Sequence, residues 1–358
     1  MASIKKRPDG KWRARYRDHA GKEHARHFKR RVDAQAWLDD VTTSQRTGSY
    51  VDPKHQKVTV REWSEIWLQG YRQNRQSTVR QAQVHIKHIN AAFGDRRLAS
   101  IRPSEVKAWT ASMKAQGLAD STVYAIYRRM VQLYRDAMED NLIPRTPFSR
   151  ATAPSVGKQR PYVATTAQIW ALHDAMPSGL QPAILLGAFA GLRIAEAVAL
   201  RTSDVDFMRG TITPVRQYGG GALKTDGSAA SISIPVDLAV MLNAMPAKFG
   251  GDHIVTTEYG RPISPSQLEH YVRVARVQVE GLDPAFRFHD LRHYFASLLI
   301  SQGLDVKVVQ SCLRHASAKT TLDTYGHMFP NAEESARAAV RSVLTARADS
   351  SRTEAATS

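Results

Sequence analysis

The chain has 358 residues, 42% of them hydrophobic, enough for two or three domains with real cores. Its formal charge of +17 points to a polyanionic partner, nucleic acid first and an acidic membrane surface second. No apolar run is long enough to span a membrane, no signal-peptide core follows the basic start, and the single cysteine, Cys312, cannot form an intrachain disulfide. No strongly amphipathic basic helix supports a membrane surface, so a cytoplasmic protein is predicted.

Residues 1–55 read as a small basic unit. From Lys11 to Arg17 the sequence alternates, with Trp12, Ala14 and Tyr16 on one face and Lys11, Arg13, Arg15 and Arg17 on the other. That alternation predicts a strand with one solvated, positive face. Asp18 to Gly21 reads as a turn and Lys22 to Phe28 as the returning strand. A helix over Val32 to Arg46 follows, with Ala36, Trp37 and Val41 available for packing and Gly48 as its stop. The positive face suits a DNA major groove, which admits a two-stranded ribbon. The alternative is a basic domain that binds DNA without sequence preference; the groove-reading ribbon is preferred.

Tyr50 to Lys57 reads as a linker, and residues 58–145 as a helical domain. Its helices are predicted at Thr59–Tyr71, Ser77–Phe93, Pro103–Gln116 and Asp120–Asn141. Ser77 and Asp120 are expected caps, and Pro103 fits a first turn. Arg128, Arg129 and Arg135 lie on the last helix, as a DNA-facing or merely solvated surface. Residues 146–164, with three prolines, read as a second linker.

A third domain is expected over residues 165–330. Helices are predicted at Gln168–Met176 and Pro182–Phe189, and Gly191 breaks the second. Arg193 and Glu196 follow three apart, which allows a structural ion pair. Thr211–Val215, Gly219–Lys224 and Ser231–Pro235 read as short strands around Asp226-Gly227, a hairpin signal. Lys224 precedes that turn, where a lysine is ordinarily solvent-exposed. Further helices are predicted at Leu238–Met245, Ser264–Val279, Asp290–Gln302, Val306–Leu313 and Ser317–Tyr325. Cys312 ends an apolar helical run and reads as a packed residue. Residues 331–347 form one more helix, with Ala336, Ala339, Val340, Val343 and Leu344 on a single face that must dock on something. Residues 348–358 are small, polar and expected to be disordered.

His289 and Arg292 sit three apart at a helix start, where N–H groups, an imidazole and a guanidinium together suit a phosphate. His289 and His293, four apart, also have the spacing of a zinc pair. Asp290 then stands where glutamate is needed, Arg292 brings a positive charge, and no third ligand is evident. The phosphate reading prevails, no metal or cofactor is predicted, and His293 reads as an ordinary helix residue.

Four segments occur in order: Gly191-Leu192-Arg193 with Glu196; His289 with Arg292; Leu313 to Ser317 around His315; and Thr321, Tyr325 and His327. In order and spacing they resemble the tyrosine recombinases, in particular the integrases of phages and integrative elements. The one departure is Arg314, where the family has glycine. The resemblance implies a mainly α fold with small β elements. Residues 1–55 would be a sheet-plus-helix arm-type DNA-binding domain and residues 58–145 a helical core-binding domain. Residues 165–330 would be a mixed α/β catalytic domain, and the helix over 331–347 would pack on a neighbouring subunit.

The activity implied is site-specific DNA integration or excision through a 3′-phosphotyrosyl intermediate and a Holliday junction. Tyr325 would attack, Arg193 and Arg292 would hold the scissile phosphate, and Glu196 would support Arg193. Lys224 would protonate the leaving 5′ oxygen, His289 would accept the tyrosine proton, and His315 would hydrogen-bond the phosphate. The covalent link keeps the bond energy, so no ATP is expected, and no Gly-x-x-x-x-Gly-Lys loop occurs. Implied partners are double-stranded attachment sites, three further copies in a tetramer, a host DNA-bending protein and a directionality factor, on a bacterial nucleoid. If the family's glycine is left-handed, Arg314 costs about 1 kcal/mol there, and it could touch DNA phosphate. The alternatives are a DNA-binding regulator without catalysis and a type IB topoisomerase-like enzyme. The complete set of six residues argues against the first, and the two terminal units against the second.

Overall fold

The computed structural model describes residues 2–18, 21–47, 50, 52, 57–157, 161–220, 230–244, 251–329, 337, 340–345 and 347. The chain divides into two compact units, Met1–Lys158 and Gln159–Ser358.

The first unit opens with an antiparallel sheet, β1 (Ser3–Lys6), β2 (Trp12–Arg17) and β3 (Glu23–Phe28), with β2 in the middle. Register pairs Ser3 with Arg15 and Trp12 with Phe28. The alternation of β2 holds: Ala14 and Tyr16 are buried while Arg13 and Arg17 face solvent. Helix α1 (Arg31–Arg46) covers the apolar face, packing Ala34 and Leu38 on Ala14 and Tyr16. Trp37 and Val41 pack against this cluster as expected, whereas Ala36 is exposed.

A separate core joins α2 (Val60–Tyr71), α3 (Gln76–Phe93), α4 (Pro103–Ala115) and α5 (Asp120–Glu139). Thr59 begins α2 with a capping box, its hydroxyl and Glu62 exchanging bonds with each other's backbone. The expected caps fail at two sites: α3 starts after Arg75 and α5 after Ala119, so Ser77 and Asp120 are already helical. Pro103 does stand in the first turn of α4. The core is aromatic, and two of its rings are anchored by hydrogen bonds to backbone carbonyls. Trp63 Nε1 donates to Leu133 O at 2.8 Å, and the Tyr134 hydroxyl to Leu98 O at 3.0 Å. After α5 the chain stays on this core through buried Ile143 and Phe148.

In the second unit α6 (Thr166–Ala175) leads to α7 (Gln181–Phe189), which is buried along nearly its whole length and apolar on all sides, as a central helix must be. Gly187 lets α11 (Phe288–Ser301) lie against it, since a Cβ there would meet Leu291 Cδ1 at 2.8 Å. Around this pair run α8 (Ile194–Ala197), β4 (Val205–Asp206), β5 (Thr211–Ile212), β6 (Ile232–Ser233), α9 (Val236–Asn243) and α10 (Pro265–Ala275). The strands form one antiparallel sheet in chain order, and each is two residues long. Gly219 and Gly220 form a turn with positive φ rather than opening a strand. Lys224 and Asp226-Gly227 lie outside the described residues.

Helices α12 (Val306–Cys312) and α13 (Ala318–Tyr325) close the unit on a smaller cluster of Phe295, Ala296, Ile300, Val309, Leu313 and Tyr325. Cys312 packs at its edge. Residues 340–345 are helical and expose Val340, Val343 and Leu344. Among the described residues the fold is mainly helical with two small sheets. Among the described residues no helix is long and apolar enough to cross a membrane.

Candidate active site

The site grows from the turn after α7. Gly191 has φ 62°, and a Cβ there would lie 2.6 Å from Phe295 Cδ1. This turn delivers Arg193 to the start of α8, where its amide and its Nη1 donate to Glu196 at 3.0 and 2.9 Å. Glu196 is buried, and its Oε2 also accepts from Arg314 Nη2 at 2.6 Å. Burial pushes the Glu196 carboxyl up. Arg314, the Arg193 amide and the Arg193 guanidinium together outweigh that, and it ends below the usual range.

Arg314 has φ 53°, the left-handed backbone for which the family's glycine suits. Its side chain turns inward and is buried on Glu196, so it does not present itself to a DNA phosphate. A guanidinium aimed at a buried carboxylate has no reach left for solvent.

Arg292 is 2% exposed, and its guanidinium donates to the carbonyls of Gly191 and Leu313. One residue thus ties the turn that carries Arg193 to the turn that carries His315. Five N–H groups on a guanidinium leave three for a ligand. Burial, then Arg193 and Arg314, bring the Arg292 pKa down to about 10, so it stays charged at neutral pH. His315 Nδ1 lies 2.9 Å from Thr321 Oγ1. Burial and the neighbouring Arg292 and Arg193 lower its pKa to about 4, which keeps the imidazole neutral.

Tyr325 ends α13 and is 2% exposed; burial pushes its hydroxyl pKa up to about 12. Its oxygen lies 2.7 Å from Nδ1 of His293. His293 was expected to be an ordinary helix residue; instead it meets the tyrosine. His289 packs edge-on to His293 with ring centroids 4.9 Å apart. It lines a cleft of about 630 Å³ with Arg193, Gln217, Glu269, Arg273 and Arg287. The packed wall behind His289, with Arg292 and Arg193, lowers its proton affinity.

The helix start itself is not the anion site that the spacing suggested. α11 begins at Phe288, two residues early, and carboxylates already take its first amides. Arg287 N donates to Asp290 Oδ2 at 2.7 Å and Phe288 N to Glu269 Oε2 at 3.3 Å. The positive charge facing the cleft comes from guanidinium groups.

The structure therefore gathers Arg193, Glu196, His289, Arg292, His315 and Tyr325 in one unit, while Lys224 lies outside the described residues. Sequence reasoning missed His293 and the inward turn of Arg314. The only signal for His293 was its place one turn after His289.

The basic residues of the first unit divide. Lys11 and Arg128 are exposed. Arg13 and Arg15 reach Glu23 at 3.2 and 3.4 Å, and Arg17 donates to Gly21 O. Arg129 lies over the rings of Tyr71 and Trp67, at 4.8 and 5.4 Å from their centroids. With Arg128, Arg135 and His85 it lines a cleft of about 500 Å³.

Residues 165–332 match the phage integrase family, residues 2–46 the phage integrase N-terminal domain, and residues 59–114 the phage integrase N-terminal SAM-like domain. The prophage phiRv2 integrase of Mycobacterium tuberculosis is 27% identical over 342 residues, 89% of each chain. Tyrosine recombinase XerD of Halalkalibacterium halodurans is 24% identical over 238 residues, 62% of this chain and 79% of its own. Among solved structures, the lambda integrase dimer bound to a COC′ core site superposes with a TM-score of 0.63 at 21% identity, over 92% of this chain and 96% of that one. The lambda integrase tetramer bound to a Holliday junction gives 0.59 at 22% identity, over 88% and 96%.

Proposed function

This chain belongs to the phage integrase family and is a tyrosine-type site-specific DNA recombinase; from that premise we propose that it integrates and excises a mobile DNA through a 3′-phosphotyrosyl intermediate. The observation that carries the reading is the convergence of the Tyr325 hydroxyl with two guanidinium groups and neutral imidazoles in one cluster.

Tyrosine is a weak nucleophile until its proton is taken and its target is neutralised. Arg193, about a third exposed, and the remaining N–H groups of Arg292 bind the scissile phosphate and stabilise its pentavalent transition state, a contribution of several kcal/mol in comparable sites (~3 kcal/mol). Glu196 holds Arg193 from behind. Tyr325 attacks phosphorus, and the 5′ oxygen leaves with a proton from Lys224. His315, neutral, donates a hydrogen bond to a phosphate oxygen. The bond energy stays in the tyrosyl ester, so rejoining needs no nucleotide. Two duplexes require four tyrosines, so the working form is a tetramer on paired attachment sites. The exposed Val340, Val343 and Leu344 supply a face for a neighbouring copy. Arg13, Arg15 and Arg17 of the sheet and Arg128 of α5 engage the duplex on the nucleoid. A bending protein and a directionality factor complete the assembly.

Purified protein and two plasmids bearing the attachment sites test this. Recombinants form with no nucleotide added, and a chelator leaves the rate unchanged. A strict need for ATP, or a loss restored by zinc, would refute the mechanism.

A further inference from the structure

We propose that His293 is the group that takes the proton from Tyr325 during strand cleavage and returns it during rejoining, with Asp290 favouring the tautomer that can do so. This rests on the reading of Tyr325 as the nucleophile and adds a residue to it.

The geometry singles out His293. Its Nδ1 is 2.7 Å from the Tyr325 oxygen, with the two rings at a centroid distance of 5.6 Å and an interplanar angle of 66°. His289 packs edge-on to the His293 ring, while the hydroxyl contact at Tyr325 is made by His293. His315 is engaged at Nδ1 by Thr321. A neutral imidazole has one donor and one acceptor nitrogen. A phenol hydroxyl donating to Nδ1 therefore requires the proton of His293 to sit on Nε2. On that side lies the Asp290 carboxylate, 4.0 Å from Nε2. This is longer than a hydrogen bond, so the carboxylate acts through its charge. Nucleophile, base and acidic orienter form the arrangement expected of an activated nucleophile.

The charged groups facing His293 are His289, Asp290 and Arg292 on its own helix, His315 on the following turn and Tyr325 on α13. Burial first, then His289, Arg292 and His315, lower its pKa to about 4. Near neutral pH it is therefore an empty base beside a protonated phenol. A bound phosphodiester brings a negative charge next to the imidazole and raises its proton affinity. As the Tyr325 oxygen forms its bond to phosphorus, its proton passes to Nδ1, and the P–O5′ bond breaks with the 5′ oxygen taking the proton that Lys224 supplies. In rejoining the 5′ hydroxyl attacks phosphorus and returns that proton to Lys224, while the Tyr325–phosphorus bond breaks and Nδ1 gives its proton back to the phenol. Each bond formed is matched by one broken, and both protons are returned.

The test is single-turnover cleavage of a nicked attachment-site duplex, with the full chain and a thermal unfolding control. Wild type cleaves at a nearly constant rate from pH 6 to 9. His293→Ala slows cleavage about 10²–10⁴-fold at pH 7, the usual range for losing a general base. Its rate then climbs about tenfold per pH unit as hydroxide replaces the base, and added imidazole restores part of the activity. His293→Gln keeps a hydrogen-bond acceptor but cannot take a proton, so it stays as slow as alanine. That variant also carries the test if His293→Ala does not fold. A duplex with sulfur in place of the leaving 5′ oxygen needs no acid and leaves the His293 defect in place. The proposal is overturned if His293→Gln cleaves within about threefold of wild type, if the variants keep a flat pH profile, or if the sulfur duplex restores them. Tyr325→Phe runs in parallel. Adduct formed by that variant would overturn the nucleophile assignment instead, whatever His293 does.

Discussion

At Arg314 two effects oppose each other, and their sizes decide the outcome. A non-glycine residue at φ 53° costs about 1 kcal/mol. Removing one partner of a buried ion pair costs about 3–5 kcal/mol, and the lower end applies because Arg193 also compensates Glu196. Arg314→Gly therefore restores the family's residue and still destabilises the second unit, by about 2 kcal/mol net. Denaturant unfolding measures it; a variant as stable as the parent would mean that the pair contributes only about as much as the backbone costs, about 1 kcal/mol. The backbone conformation here was legible, because an arginine in a glycine's place is visible in the sequence. Its partner was not, because Glu196 lies 118 residues earlier. His293 escaped for the same reason: the hydroxyl it meets is 32 residues later, and only folding α13 onto α11 brings them together.

At the scale of elements, long periodic segments could be read and their ends could not. All four helices of the first unit's helical core are where their apolar period placed them, within two residues at each start. Ser77 and Asp120 have the chemistry of caps, but the helices start after Arg75 and Ala119 with no side-chain cap bond, whereas Thr59 with Glu62 satisfied both halves of a box. The strands β4 to β6, at two residues each, are too short for a period of two to show. The N-terminal sheet carries its own small core, sharing no residue with the helical one. Deleting residues 1–55 is therefore expected to leave cleavage of a core site intact and to abolish efficient recombination between full attachment sites. Core-site cleavage on a short duplex and integration between plasmids measure the two separately. Equal integration by the shortened chain would show that the sheet's cations have no arm-site role.

Over the whole molecule, a charge of +17 suits a polyanionic partner, while the proposed catalytic residues that the structure describes gather in one cluster of the second unit. Charge alone would serve a regulator as well as an enzyme. What separates them is whether one phenol becomes bonded to DNA. The decisive measurement is to trap the protein on a nicked attachment-site duplex, digest the complex with protease and nuclease, and sequence the modified peptide by mass spectrometry. The account predicts a 3′-phosphonucleotide on Tyr325, and no adduct with Tyr325→Phe, which loses one hydroxyl and keeps DNA affinity. An adduct on any other residue, or one that persists in Tyr325→Phe, would contradict it.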